Sequence, residues 1–444
     1  MKITYPELEI SPDRGFAPEI DIFTRKDFGE RLANLIEKSD DNPVIALNAG
    51  WGEGKSTFIK MWRGHTTNHR ENKIKSIYFD AFENDYQKDP FLTLASEIYQ
   101  LIPETDKQKQ KNFREKASKA LKSITRGIVK VAAKAGTAGI IDGSDIDSAE
   151  NFMSDLRSKE IDHIVDEKLE NAKKDKLNLN KFKEYLTEFS EEAGEGAPLV
   201  FIIDELDRCR PDFALELLEQ IKHLFSVKGI TFLLVTNRLQ LENSIRAKYG
   251  SEINATNYLH KFIHLWIELP RPSNEYKDLG SIFFKHALNK MSEDGEKILN
   301  TDTVQILLSL IKYYQPSFRE IERTLTYFAI IMNMSEQKRY VSFVQITVAI
   351  VCYFFANQPN ILKPIDGELS YDQIIKASRL DKADPRTDPS YLENVKNTIK
   401  YDLADADTQK EMSKKNSFFI DNFGRPHISM IKEIKTWLSE INID

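Results

Sequence analysis

Cysteine is almost missing from this chain: Cys209 and Cys352 are the two in 444 residues. Two thiols make no disulfide framework, and a reducing cytoplasm is the expected compartment. Long apolar runs are missing as well. The longest, residues 341–355, contains Ser342 and Gln345. It falls short of the roughly 20 apolar residues of a membrane-spanning helix, so a buried helix is expected there. The first residues, MKITYPELEISPDRGF, carry acids and proline but no apolar core, which reads against a secretory signal. Positive charge is not in surplus either. Lys and Arg number 62 against 69 Asp and Glu, a net charge of −7. That argues against nucleic-acid binding by bulk charge, although a local basic stripe stays open. The remainder, 41% hydrophobic and 30% charged, is the composition of a globular protein. The length suits two or three domains of about 150 residues each.

Apolar segments of two periodicities alternate along the first 270 residues. Phe28, Leu32, Leu35 and Ile36 have helical spacing within 25–38, and turn residues then precede a short apolar strand at 44–47. A helix is expected over 55–63, a strand over 73–80 and a helix over 90–102 that starts at Pro90. Residues 198–203 read as a buried strand, 211–226 as a helix and 230–236 as another buried strand. Strands alternating with helices predict βαβ units and a parallel sheet, an α/β fold. Residues 104–195 interrupt this pattern with a Lys- and Glu-rich helical insertion, whose small-residue stretch at 127–143 could present an apolar face to a partner or a membrane surface. After Pro270 and Pro272 the strand pattern stops and helices follow. The expected organisation is a core over 1–272 carrying the insertion, a helical lid over 273–345 and a helical C-terminal region over 346–444.

Residues 48–57 read Asn-Ala-Gly-Trp-Gly-Glu-Gly-Lys-Ser-Thr between a strand and a helix. The phosphate-loop pattern is G-x-x-x-x-G-K-[ST] in that setting, and Ala49 stands where its first Gly belongs. Glycines let consecutive backbone N–H groups turn inward as an anion nest, and the helix N-terminus adds its positive end. Gly50, Trp51, Gly52, Glu53, Gly54, Lys55, Ser56 and Thr57 are therefore the expected nucleotide-binding residues. Lys55 is expected at the β- and γ-phosphates and the Ser56 hydroxyl on Mg2+.

The strand at 198–203 runs into Asp204, Glu205, Asp207 and Arg208. A phosphate loop needs a carboxylate from another strand to hold magnesium, and Asp204 fits that role. Glu205 fits the general base that polarises the attacking water. Asp207 and Arg208 read as an ion pair shaping the loop, with a phosphate of this or a neighbouring subunit as the other reading of Arg208. Asn237, at the end of the next buried strand, is the candidate sensor of the γ-phosphate; the alternative is a turn-forming Asn. Arg246 is a candidate arginine finger acting on a neighbouring subunit, or a surface arginine. Arg319, four before Arg323 on one helix face, is the candidate lid arginine.

These residues together resemble the KAP family of P-loop NTPases. Gly50-Trp51-Gly52-Glu53-Gly54-Lys55-Ser56 resembles the family's P-loop with its tryptophan. Tyr78-Phe79-Asp80-Ala81-Phe82-Glu83 is similar to its second strand, which usually has Trp where Phe82 stands. Asp204-Glu205-Leu206-Asp207-Arg208-Cys209 resembles its acidic signature. Tyr258-Leu259 with Lys261, then Leu269-Pro270, and Ser317-Phe318-Arg319-Glu320 are similar to later family segments. The resemblance covers about residues 20–335. It implies a catalytic-glutamate core with an additional strand, related to AAA+ and STAND ATPases, with the acidic strand next to the P-loop strand. Many members carry membrane spans where residues 104–195 lie; none is present here, so a soluble variant is expected. Bacterial members are often linked to defence against phage and plasmids, and that role is implied for this chain.

The expected function is an ATP- and Mg2+-dependent switch or assembly ATPase, working as a homo-oligomer or on an effector protein. ATP is favoured over GTP because no N-K-x-D base-reading motif follows the acidic strand: Asn237 is followed by Arg238. Two rivals stand beside it. One is a nucleotide-gated scaffold with little hydrolysis. The other is a nucleic-acid sensor acting through the basic run Lys107, Lys109, Lys111, Arg114, Lys116, Lys119, Lys122, Arg126, Lys130 and Lys134.

Overall fold

The computed structural model describes the chain except residues 7–9, 12–13, 40, 72, 88, 138–157, 271–277, 293–297, 300, 335–339, 364–368, 385–388, 422 and 441–444, and describes no side chains over 125–169. Part of the small-residue stretch at 127–143 and the side chains of Arg126, Lys130 and Lys134 therefore lie outside what is described.

Among the described residues, five strands form one parallel sheet: β1 (Val44–Asn48), β2 (Ser76–Asp80), β3 (Leu199–Asp204), β4 (Ile230–Thr236) and β5 (Leu265–Glu268). Their order is β2-β3-β4-β1-β5. This corrects one expectation. The acidic strand β3 is not the neighbour of the P-loop strand β1, because β4 lies between them, with Leu47 opposite Val235 and Ile203 opposite Leu234. The consequence is functional. The end of β4 stands between the phosphate loop and the acids.

Both faces of the sheet are covered, so its central strands are continuous apolar runs rather than alternating ones. Val44, Ala46, Phe201, Ile203, Phe232 and Leu234 enter one core, and Ile45, Leu47, Val200, Ile202, Leu233 and Val235 enter the other. Helices α1 (Lys26–Glu37) and α2 (Lys55–Asn68) fill the second core with Leu32, Phe58 and Trp62. Helix α3 (Pro90–Gln100) fills the first; the Asp89 side chain accepts from the Phe91 and Leu92 N–H groups and Pro90 opens the first turn.

The insertion is a pair of long helices, α4 (Lys107–Thr137) and α5 (Ser158–Gly194), pinned to the first core by Phe113 and Phe182 at 6.1 Å. Part of the basic run is used internally. Lys109 pairs with Glu192, Lys116 lies 5.0 Å over the Tyr185 ring, and Arg114 lies 6.0 Å from Tyr99. Helices α6 (Pro211–Gln220), α7 (Arg238–Tyr249) and α8 (Ala255–Leu259) complete the sheet layer.

Among the described residues beyond the sheet, the regular elements are the helices α9 (Leu279–Met291), α10 (Asp302–Tyr314), α11 (Phe318–Met334), α12 (Ser342–Asn357), α13 (Tyr371–Ala377), α14 (Tyr391–Asp402), α15 (Ala406–Lys415) and α16 (Ile431–Glu440), with short 3₁₀ turns and an antiparallel bridge between Ile420 and Pro426. The apolar run at 341–355 is α12, buried as expected. The division placed at 345/346 falls inside α12, and one core continues from Phe283 through Ile350 to Leu438. Among the described residues, no helix is long and apolar enough to cross a membrane.

Asp402 closes this helical part. Its carboxylate accepts from the Met430 and Ile431 N–H groups at the start of α16. Burial nevertheless raises its pKa from the ordinary 3.8 to about 6. The folded state then holds this proton more tightly than the unfolded chain, so its stabilising contribution is present below about pH 4 and is lost as pH rises through about 6. Asp402→Asn is expected to remove that part of the pH dependence, read as the wild-type-minus-variant difference in urea midpoint between pH 4 and pH 7. An unchanged difference would contradict this account.

Candidate functional site

The phosphate loop leaves β1 at Asn48 and enters α2 at Lys55. Gly52 and Gly54 take left-handed backbone angles, with φ of 74° and 79°. Ala49 does not appear among the residues of positive φ, and it is buried beside β4, where its N–H meets the Thr236 carbonyl at 3.4 Å. Alanine therefore fits the position of the missing first glycine. Glu53 bends back and accepts from the Gly50 N–H at 3.0 Å. Arg25, buried at the start of α1, donates to the Glu53 carbonyl at 3.3 Å. Its desolvation lowers its pKa to about 10, against the pull of Asp21 and Glu53. Lys55 Nζ donates to the Ala49 and Gly50 carbonyls at 2.9 and 3.0 Å. Burial lowers the Lys55 pKa, and Asp207 and Asp204 oppose that.

The acids gather at the adjoining strand ends. Asp204 is fully buried. It accepts from the Tyr78 hydroxyl at 2.9 Å and from the Glu205 N–H at 2.8 Å, and the Ser56 hydroxyl also bonds to it. Burial raises its pKa above the ordinary carboxylate range despite these bonds, and Asp80, opposite it in register on β2, adds to the rise. Glu205 sits in the left-handed region at φ 59°. Burial raises its pKa as well, while Arg208 pulls it down.

The expected Asp207–Arg208 pair does not form. Arg208 Nη1 meets Glu205 Oε2 at 2.8 Å instead. Asp207 is turned the other way, accepting from Trp51 Nε1 at 2.5 Å and from the Thr236 hydroxyl at 3.1 Å. It thereby ties the P-loop to the end of the intervening strand β4. The short turn from Leu206 to Arg208 explains this. It turns tightly enough to aim consecutive side chains at opposite walls.

The lid reaches the loop directly. The Phe318 N–H meets the Gly52 carbonyl at 3.3 Å. A Cβ built on Gly52 would lie 3.3 Å from both Cγ and the backbone nitrogen of Arg319. Gly52→Ala therefore combines a left-handed alanine, unfavourable by about 1–2 kcal/mol, with a push on the lid. A lower thermal midpoint than wild type is expected, and an unchanged midpoint would show that the loop relaxes freely.

Between these walls lies a cavity of about 500 Å³, lined among others by Lys55, Ser56, Thr57, Asp204, Glu205 and Arg319. Trp51, Gly52 and Gly54 also border it. Gly50 and Glu53 do not; they face a separate crevice with Asn48 and Pro270. Asn237 is placed as a helix cap, its side-chain oxygen accepting from the Leu239 and Gln240 N–H groups at 3.1 and 3.4 Å. Arg246 lies on α7 beside Glu242 and Asn243, away from the cavity. The sequence placed Tyr78 in a family-like strand but gave it no role at the site, and it did not show the bridging role of Asp207. Tyr5, Ile10, Phe283 and Glu322 also line the cavity and were not singled out. Only Phe318 had a local signal, its place directly before Arg319.

Ser56 and Asp204 offer oxygen donors of the kind that a magnesium ion takes together with phosphate and water oxygens. Among the described residues, no group of three or more His, Cys, Asp or Glu could hold a metal ion alone, and a nucleotide-bound magnesium does not require one.

Comparison with known proteins gives three further findings. A model of the KAP family P-loop domain matches residues 25–351. A protein of Methanocaldococcus jannaschii described as uncharacterized is 31% identical over 199 residues, which are 44% of this chain and 91% of that protein. Two structures of the Aeropyrum pernix ORC2 protein are similar at 14% identity. Its ADPNP-ADP complexes align with a TM-score of 0.36 over 94% of this chain and 86% of that one, and its ADP form with 0.34 over 90% and 98%.

Proposed function

The chain belongs to the KAP family of P-loop NTPases, and we propose that it binds ATP with Mg2+ in the cavity between sheet and lid and hydrolyses it. One observation carries this reading: Lys55, Ser56, Asp204, Glu205 and Arg319, from three separate segments, line one cavity. In this reading the loop N–H groups and Lys55 hold the β- and γ-phosphates, and Ser56 and Asp204 would hold the magnesium. The metal supplies charge neutralisation on the phosphate oxygens. Glu205 accepts a proton from the water that attacks the γ-phosphorus, and the bond to the ADP oxygen breaks. Arg319 sits at the base of α11 against Gly52, so loss of the γ-phosphate is transmitted to the lid. Incubation with ATP and magnesium is expected to give ADP and phosphate one for one; ATP bound but recovered intact would leave binding and remove hydrolysis.

A second reading, a nucleotide-gated scaffold with slow turnover, is favoured by the Glu205–Arg208 ion pair. A carboxylate held by a guanidinium is a weaker base, so Arg208 must release Glu205 before it can act. Arg208→Ala separates the two readings. Under the scaffold reading it raises turnover several-fold above wild type. If Arg208 instead contacts phosphate, the same change lowers turnover. The biological setting that the family resemblance implies is defence against phage or plasmids. Plaque counts on cells carrying wild type or Lys55→Ala test it.

A further inference from the structure

The cavity lining is mixed in character. Lys55, Asp204, Glu205 and Arg319 line it with charge. Tyr5, Ile10, Phe283, Phe318 and Glu322 contribute a mainly apolar wall, and the Phe318 ring lies against Gly54 of the phosphate loop. Phe318 is clamped between Phe23, at 4.9 Å, and Phe283, at 4.6 Å, with both neighbours nearly parallel to it. Tyr5 meets Phe283 edge-on at 5.7 Å. The N-terminal segment is held over this wall by the lid helices: the Lys2 N–H donates to the Met291 carbonyl at 2.7 Å, and Asn333 bonds the Met1 carbonyl at 2.7 Å. The wall is thus an apolar surface already built, drawn from three distant parts of the chain.

Two polar groups on it lack partners. The Tyr5 hydroxyl is buried without any hydrogen bond, an unfavourable state for a phenol unless something supplies the missing partner. The Glu322 carboxyl, one turn beyond Arg319 on α11, makes no side-chain hydrogen bond or ion pair among the described residues. It stands close enough to Tyr5 to help burial push the phenol up to about 12.

We infer that this wall is the base subsite of the proposed nucleotide and that it selects adenine, with Glu322 accepting from the exocyclic N6 amine and the Tyr5 hydroxyl donating to the neighbouring ring nitrogen N1. The inference rests on the nucleotide reading above. Adenine presents a donor and an acceptor side by side, and the subsite presents an acceptor and a donor. Guanine places its O6 acceptor where that amine would lie, so two acceptors face each other. A carboxylate can also take guanine in another register, through N1–H and the N2 amine, and tighter binding of GDP than of ADP is what that register predicts.

The test is calorimetric binding of ADP, GDP and inorganic pyrophosphate to the full chain, comparing wild type with Glu322→Ala, Glu322→Gln and Tyr5→Phe. Wild type is expected to prefer ADP over GDP. Glu322→Ala should weaken ADP about tenfold, the size of one lost hydrogen bond to a charged group, and leave pyrophosphate unchanged. Glu322→Gln keeps an acceptor and should restore most of the ADP affinity. Tyr5→Phe should weaken ADP several-fold without affecting pyrophosphate. A wild type that prefers GDP, or an ADP-to-GDP ratio that neither Glu322→Ala nor Tyr5→Phe changes, overturns the base subsite while ADP binding still stands. Failure of wild type to bind both ADP and pyrophosphate would sink the nucleotide reading, and the subsite with it.

Discussion

Glu205→Gln is expected to lower ATP turnover by about 10²- to 10⁴-fold, the range of a lost general base, while ATP still binds. Glutamine keeps the size and one acceptor oxygen of Glu205 but cannot take the proton of the attacking water. Glu205 follows a carboxylate that carries a different load. Both line the cavity, but Asp204 is fully buried and bonded to Tyr78 and the Ser56 hydroxyl, so it is placed to orient and hold, whereas Glu205 is only half-buried. The pH profile should carry the same signature. Burial raises the Glu205 pKa, with Arg208 opposing, so wild-type turnover should fall on the acid side at a pH above the ordinary carboxylate range. In Arg208→Ala that limb should move further up. The measurement is single-turnover hydrolysis across pH. An acid limb that ignores both substitutions would remove Glu205 from the proton transfer.

Lys55→Ala is expected to weaken nucleotide binding by about 10- to 100-fold, the worth of roughly 1.5–3 kcal/mol in charge-assisted hydrogen bonds to phosphate. In the structure Lys55 Nζ spans the loop and bonds the Ala49 and Gly50 carbonyls. These bonds hold the ammonium beside the cavity floor and keep a buried cation satisfied. Phosphate oxygens supply stronger acceptors, so the ammonium gains on exchange. Alanine removes both the charge and the brace on the loop. The effect should be read as a dissociation constant for ADP and ATP. Lys55→Ala binding as tightly as wild type would place the phosphates elsewhere.

The sequence carried the phosphate loop and the acids because both are local. Gly52, Gly54, Lys55 and Ser56 are set by spacing, and an apolar strand ending in Asp204 and Glu205 is legible in a few residues. Ala49 was legible as a departure and not as a solution; only its backbone angle explains why alanine fits. Strand order was not legible. Which strand lies between β1 and β3 depends on how the two sheet faces are filled by helices far away in sequence. For the same reason Asp207 was assigned to its sequence neighbour Arg208. Its partners, Trp51 and Thr236, arrive from the P-loop and from β4. Asn237 satisfied a pattern that a helix cap satisfies equally well, and the cap is what its side chain makes. Tyr5 and Glu322 stand 317 positions apart and carry no motif, so only the closed fold could bring them to one wall.

The most direct test of the central claim is steady-state phosphate release from ATP by wild type, with and without magnesium, against Lys55→Ala as background. The account predicts release that requires magnesium, exceeds the Lys55→Ala rate by at least about tenfold, consistent with loss of phosphate contacts, and yields ADP in equal amount. Wild-type release indistinguishable from Lys55→Ala with magnesium present and ATP below the wild-type KM would contradict it.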